Sequence, residues 1–146
     1  MKKTDFFTKP VVFTLWGVLY ALCVGLNFLA AFRVPLGWAK APFVLVSLLF
    51  FVPPFYLLFL AKKDKEKKTV AALRVISIVS LALFVVLFCL NLASVNWSPM
   101  TGRVLYYLFI SLCAPVVCGQ FYVLGLYLWA CILMVTMKGR NRPGRK

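Results

Sequence analysis

The chain has 146 residues, of which 64% are hydrophobic, with a formal charge of +14 and a mean hydropathy of +0.95. A water-soluble fold hides apolar side chains only in its interior, so a surplus on this scale excludes an ordinary soluble domain and calls for a bilayer as solvent. The basic residues lie between and beyond apolar runs, as membrane topogenesis requires, which argues against specific nucleic-acid binding.

The first apolar run, 11–32, is long enough to span a hydrocarbon core of about 30 Å. Pro10 stands just before it, where a missing N–H costs nothing. Its twelve Val, Leu and Phe residues make insertion favourable at about −0.3 to −0.6 kcal/mol each near the centre. The run exceeds the apolar core of a cleaved signal peptide, so it is read as a span. The second run, 42–61, carries Pro53 and Pro54 near its middle. Two missing donors free the carbonyls of Leu49 and Phe50, which predicts a kink or local unwinding and makes the pair a candidate hinge.

A charged turn, Lys62 to Lys68, separates the second run from the third, 70–92. Arg74 sits one turn inside the third, within snorkelling reach of its end. Ser77, Ser80 and Phe84 recur there at helical spacing as a mildly polar stripe facing neighbouring helices. The segment Asn96 to Arg103 has the chemistry of a loop. Beyond it, 104–137 is apolar for 34 residues, roughly 51 Å as a straight helix and too long for one crossing. Ala114-Pro115 and Gly119 mark a break near 114–119. The expectation is a kinked continuous helix whose spanning part is 116–137, with 104–113 extending it or lying at the outer interface. The basic tail, 138–146, is expected to be disordered.

Fourteen of the seventeen Lys and Arg residues fall in the N-terminus, the central turn with Arg74, and the tail; Arg33, Lys40 and Arg103 are on the other side. The asymmetry places both termini in the cytoplasm, with the plasma or inner membrane as the location. Trp38 and Trp97 then fall in the two outer loops. The fold class that follows is an all-α integral membrane protein. It has four transmembrane helices in two antiparallel hairpins, forms a single domain over 1–146, and has kinks in helices 2 and 4.

Histidine is absent, and the only acids are Asp5, Asp64 and Glu66, all outside the apolar runs. Proton- or sodium-coupled carriage through an intramembrane carboxylate therefore lacks its residue, as do histidine-held haem, histidine metal sites and a Ser-His-Asp triad. The chain lacks the membrane-embedded glutamate of the small multidrug transporters and the CxxC of membrane disulfide oxidoreductases. Cys23, Cys89, Cys113, Cys118 and Cys131 form no CxxC and read as small buried apolar residues. No catalytic, cofactor-binding or metal-ligating set is expected.

Four constellations remain. Gly17, Ala21 and Gly25, four apart, form a small-residue ridge that suits close helix packing, within the fold or with a partner. Asn27, Ser47 and Gln120 fall at similar depth on three helices and are candidates for a polar layer, with Asn27 in contact with Gln120. Pro53, Pro54 and Pro115 are candidate kinks or hinges. Lys62, Lys63, Lys67, Lys68, Arg140, Arg142 and Arg145 offer weak contact with anionic lipid at roughly 1 kcal/mol per charge near the surface. The expected role is a non-enzymatic accessory or assembly subunit whose partners are the bilayer and other membrane proteins or a second copy. The alternative is an oligomeric passive channel or small-molecule carrier.

Overall fold

The computed structural model describes residues 9–32, 40–63, 66–118 and 122–138, and these residues are helical, with no strand among them. Three helices carry most of the chain: α1 (Lys9–Ala31), α2 (Lys40–Lys63) and α3 (Lys67–Ala93). Each is long and apolar enough to cross a membrane. A short 3₁₀ turn, Ser94–Asn96, follows α3. The remainder is α4 (Pro99–Leu112), α5 (Ala114–Cys118) and α6 (Tyr122–Lys138).

Local chemistry sets the helix ends. Pro10 and Pro42 lie in the first turns of α1 and α2, where an amide proton would have no helical acceptor. Ser98 caps α4, its Oγ accepting from the Thr101 amide at 3.4 Å, and Pro99 takes the first helical position. The loop expected over Asn96 to Arg103 is therefore shorter, because the cap and proline recruit residues 99–103 into the helix. α3 contains neither proline nor glycine and runs unbroken for 27 residues. α2 stays helical through Pro53-Pro54, so the local unwinding expected there does not occur. Both rings are buried among neighbouring helices, which hold the backbone in place.

The last third departs most from expectation. In place of one kinked helix over 104–137 stand three helices that change direction twice. α4 runs antiparallel to α3. A Cβ built on Gly102 would lie 3.6 Å from Ser94 Oγ, and further along Phe109 packs on Phe88 and Phe84 with ring centroids 6.2 and 5.6 Å apart. At Cys113 the backbone leaves helical geometry (φ −100°, ψ 22°), and α5 heads back. Its Pro115 carbonyl accepts from Ser47 Oγ at 2.6 Å. Cys118 Sγ reaches the Phe43 carbonyl, one turn nearer the start of α2, at 3.6 Å. α6 then resumes the direction of α4: Gly125 meets Val116, Trp129 meets Phe51 at 5.4 Å, and Thr136 meets Arg74. Gly119 and Gln120 lie outside the described residues, as do Trp38, Arg33 and the tail beyond Lys138.

The starts of α1 and α3 and the ends of α2 and α6 gather at one end of the bundle, which carries Lys9, Lys62, Lys63, Lys67, Lys68 and Lys138. Lys9 Nζ pairs with Glu66 there at 2.5 Å. The Lys9 ammonium, and then the Thr69 hydroxyl, hold the Glu66 carboxyl below the usual carboxylate range. Arg74 does not simply reach outward: its Nη2 donates to the Thr136 carbonyl at 2.6 Å. That places a cation on the carbonyl end of α6, where the helix dipole favours it.

α5 is the centre of the bundle, with Ala114, Pro115, Val116 and Cys118 all buried and α1, α2, α4 and α6 packed around it. Two aromatic clusters flank it. Trp16, Phe50, Phe51 and Trp129 join α1, α2 and α6 at centroid separations of 5.3 to 6.5 Å. Phe84, Phe88, Phe109 and Tyr122 join α3, α4 and α6 at 5.6 to 6.4 Å. The outside is as apolar as the core: Phe32, Phe59, Met134 and Val123 are 67 to 81% exposed.

Two outcomes follow. A Cβ on Gly125 would stand 3.0 to 3.2 Å from Val116, its Cα included, so Gly125→Val should destabilise the fold by roughly 1–3 kcal/mol, read from thermal loss of helical circular dichroism. Lys9→Ala should raise the Glu66 midpoint toward the ordinary carboxylate range in an NMR titration. Because the folded carboxyl is depressed, the pair's stabilisation is present above the ordinary range and is lost as pH falls through the folded midpoint.

Candidate functional site

The reversal between α4 and α5 creates an unusual demand. In a continuous helix the Ser111 carbonyl would accept from residue 115, but that residue is proline and has no N–H. The Leu112 carbonyl would accept from Val116, whose amide turns instead to Cys113 at 3.0 Å. An unpaired buried carbonyl costs about 1–3 kcal/mol, so donors must come from elsewhere.

They come from side chains on α1 and α2. Tyr20 Oη donates to the Ser111 carbonyl at 2.7 Å and also lies 3.4 Å from that of Leu112. Asn27 Nδ2 donates to Ile110 at 2.9 Å and Ala114 at 3.2 Å, straddling the break. Ser47 completes the set on Pro115. Asn27 and Ser47 are 5% and 7% exposed, so this polar layer lies within the bundle.

Cavities lie on both sides of the reversal. Toward the charged end is one of about 340 Å³, walled by Phe13, Trp16, Gly17 and Tyr20 of α1 and by Ile76, Ser80 and Phe84 of α3. Phe50 and Trp129 close its back, and Leu112, Cys113, Pro115 and Val116 form its roof. It exists because α4 separates α1 from α3 only as far as Leu112; no described residues of α1 and α3 approach within 8 Å between Cα atoms. Toward the opposite end a second cavity of about 260 Å³ is bounded by Asn27, Ala30, Phe43, Tyr106, Ile110 and Tyr122, among others.

The structure thus brings Asn27, Ser47 and Pro115 together and assigns the two polar side chains to backbone carbonyls. Gln120, the third expected member, lies outside the described residues. Pro53 and Pro54 are buried in α2 and line neither cavity. Gly17, Ala21 and Gly25 are exposed, and a Cβ on either glycine would meet nothing within 4 Å. Among the described residues nothing packs on either glycine, and Gly17 also lines the cavity toward the charged end. Lys62, Lys63, Lys67 and Lys68 are exposed at the charged end; Arg140, Arg142 and Arg145 lie outside the described residues.

Sequence reasoning passed over Trp16 and Tyr20, yet a signal was available. Trp16, Tyr20, Cys23 and Asn27 recur at spacings of four, three and four, the periodicity of one helix face, and Trp16, Cys23 and Asn27 are buried. The cysteines are free thiols, and no group of His, Cys, Asp and Glu able to hold a metal occurs among the described residues. Comparisons with protein-family models, curated proteins and solved structures find no match.

Pro115 sets a specific test of this arrangement. Tyr20→Phe should destabilise the protein by about 1–3 kcal/mol, because it strands the Ser111 carbonyl. In a Pro115→Ala background the cost should fall, since residue 115 regains an amide for that carbonyl. A double-mutant cycle on denaturant unfolding measures the coupling; additive costs would show that the tyrosine acts elsewhere.

Proposed function

We propose that this chain is a multi-pass membrane protein acting as a non-enzymatic accessory or assembly subunit, which presents the small-residue face of α1 to an apolar helix of a partner protein. α1, α2 and α3 cross once each, and α4–α5–α6 together make a fourth, jointed crossing. The charged end faces the cytoplasm, so both termini lie there, at the plasma or inner membrane. Support for immersion comes from the exposed Phe, Leu, Val and Met side chains along the helices, a belt far larger than the few hundred Å² of contiguous apolar surface usual in a soluble monomer.

The observation that carries the accessory role is the empty ridge at Gly17, Ala21 and Gly25. In lipid there is little hydrophobic drive between helices, and small residues are what allow backbones to approach and gain dispersion contacts. No described residue packs on its two glycines, so its packing value is available to another chain. A second reading, a small-molecule carrier, is favoured by the two cavities on opposite sides of the reversal, an arrangement in which discontinuous helices surround a path.

Ala21→Leu and Gly25→Leu should leave stability within about 0.5 kcal/mol, being surface changes, yet release whatever copurifies in mild detergent. A wild-type protein that purifies as a lone monomer would overturn the accessory reading, and a homodimer abolished by the same substitutions would make the partner a second copy. Flotation with liposomes and a reporter fused at residue 146 test immersion and orientation; a soluble protein or an external reporter would sink them.

A further inference from the structure

We infer that Arg74 anchors a binding site for the phosphate group of an anionic membrane lipid, at the charged end of the α3–α6 pair. Arg74 is a cation without a counter-ion among the described residues. The one carboxylate there is Glu66, and it is taken by Lys9 and Thr69. Arg74 is half-buried in an otherwise apolar stretch of α3, where an ionisable side chain is costly and pairs with a group of opposite sign. The Thr136 carbonyl answers only part of that need. It carries a partial charge, and it occupies one of the five N–H donors that a guanidinium presents.

The nitrogens show what is left over. Nη2 donates to the Thr136 carbonyl at 2.6 Å. Nε is buried without a partner, so nothing from outside reaches it. Nη1 is neither buried nor bonded among the described residues, and its two donors are open to an acceptor. An oxyanion placed there is held by charge as well as by hydrogen bonds, the pairing for which a planar guanidinium is best suited. Because Thr136 already fixes that plane, little side-chain freedom is lost when the anion arrives.

Level selects the source of the oxyanion. Arg74 is seven residues from Lys67, the first residue of α3, or ~10 Å along the axis. A helical side chain leans toward the N-terminus of its helix, here the charged end. Thr136 is two residues from Lys138, the last described residue of α6. The guanidinium therefore stands close inside the ends of both helices. In the proposed orientation that is the cytoplasmic edge of the hydrocarbon core, beside the phosphates of one leaflet. Lys67, nearly two turns before Arg74 and so on almost the same face of α3, is exposed, as is Lys138. Their charge favours a lipid with net negative charge, and basic pockets between helices on this side of a membrane are a known seat of anionic headgroups. The exposed lysines alone give weak, diffuse contact; an arginine held in place by α6 gives one lipid one position.

The site rests on the membrane reading proposed above, so full-length protein is first floated with liposomes. A protein that does not float loses both readings, whereas one that floats and fails the next measurement loses the site alone. In mild detergent, phosphatidylglycerol and phosphatidylcholine are titrated separately and bound lipid is counted by native mass spectrometry. One phosphatidylglycerol per chain should bind roughly tenfold more tightly than phosphatidylcholine. Arg74→Gln should weaken it by roughly tenfold or more, the loss of a charge-assisted contact. Arg74→Lys keeps the charge but cannot hold the carbonyl and a phosphate in one rigid fork, and should cost roughly three- to tenfold. Lys62→Gln, at the end of α2, should change the affinity by less than about threefold.

Equal affinity of wild type and Arg74→Gln, or equal uptake of the two lipids, would overturn the site. Displacement of the lipid by millimolar inorganic phosphate would overturn the lipid as its occupant in favour of a soluble phosphate. A copurifying protein released by Arg74→Gln, with no lipid bound, would assign the cation to a partner's carboxylate instead. Unchanged circular dichroism of Arg74→Lys guards against misfolding of the glutamine variant.

Discussion

A peptide carbonyl that loses its helical donor inside an apolar medium must find another or impose a cost comparable with a large part of a small protein's stability. Pro115 creates that situation at the centre of this bundle, and much else is arranged around it. Tyr20, Asn27 and Ser47, from two other helices, supply the donors. Their positions determine how far α4 penetrates and where α5 turns back. The cavities on either side are the space left by a helix that stops halfway.

The polar groups of the interior are thus largely committed to backbone. Ser77 returns to the Leu73 carbonyl, Thr136 to that of Leu133, and Arg74 covers the end of α6. The buried side-chain atoms left without a partner among the described residues are Trp16 Nε1, Arg74 Nε and Asn91 Nδ2. α1 has two working faces. One, through Trp16, Tyr20, Cys23 and Asn27, holds the reversal and walls the cavity. The other, through Ala21 and Gly25, is exposed, and Gly17, also exposed, shares in the wall of the cavity.

Much of the architecture could be read from residue order. The runs 11–32, 42–61 and 70–92 correspond to α1, α2 and α3 because continuous apolar stretches, interrupted by charge only at Arg74, define a helix by length alone. The break near Pro115 was legible for the same local reason, a missing amide. The reversal was not, since its stability depends on donors more than sixty residues away in sequence, and no local pattern encodes that pairing. Asn27 and Ser47 were recognisable as polar residues at a common depth. Their partners were not: backbone carbonyls carry no letter in a sequence, so side chains were sought where main chain was waiting. At Pro53-Pro54 the expected local unwinding is absent, because the packing that keeps the segment helical is tertiary.

The dependence of the reversal on α1 also constrains how the protein is made. Translated alone, the segment from Pro99 to Cys118 would carry stranded carbonyls into whatever apolar surroundings received it. Because Tyr20 and Asn27 emerge from the ribosome long before Pro115, the receptor for those carbonyls is in place when the last segment arrives. Synthesis order thus suits the joint: the helix made first carries donors for the carbonyls of the α4–α5 reversal, and a permuted chain that began at α3 would have to store an unsatisfied joint until its complement was synthesised.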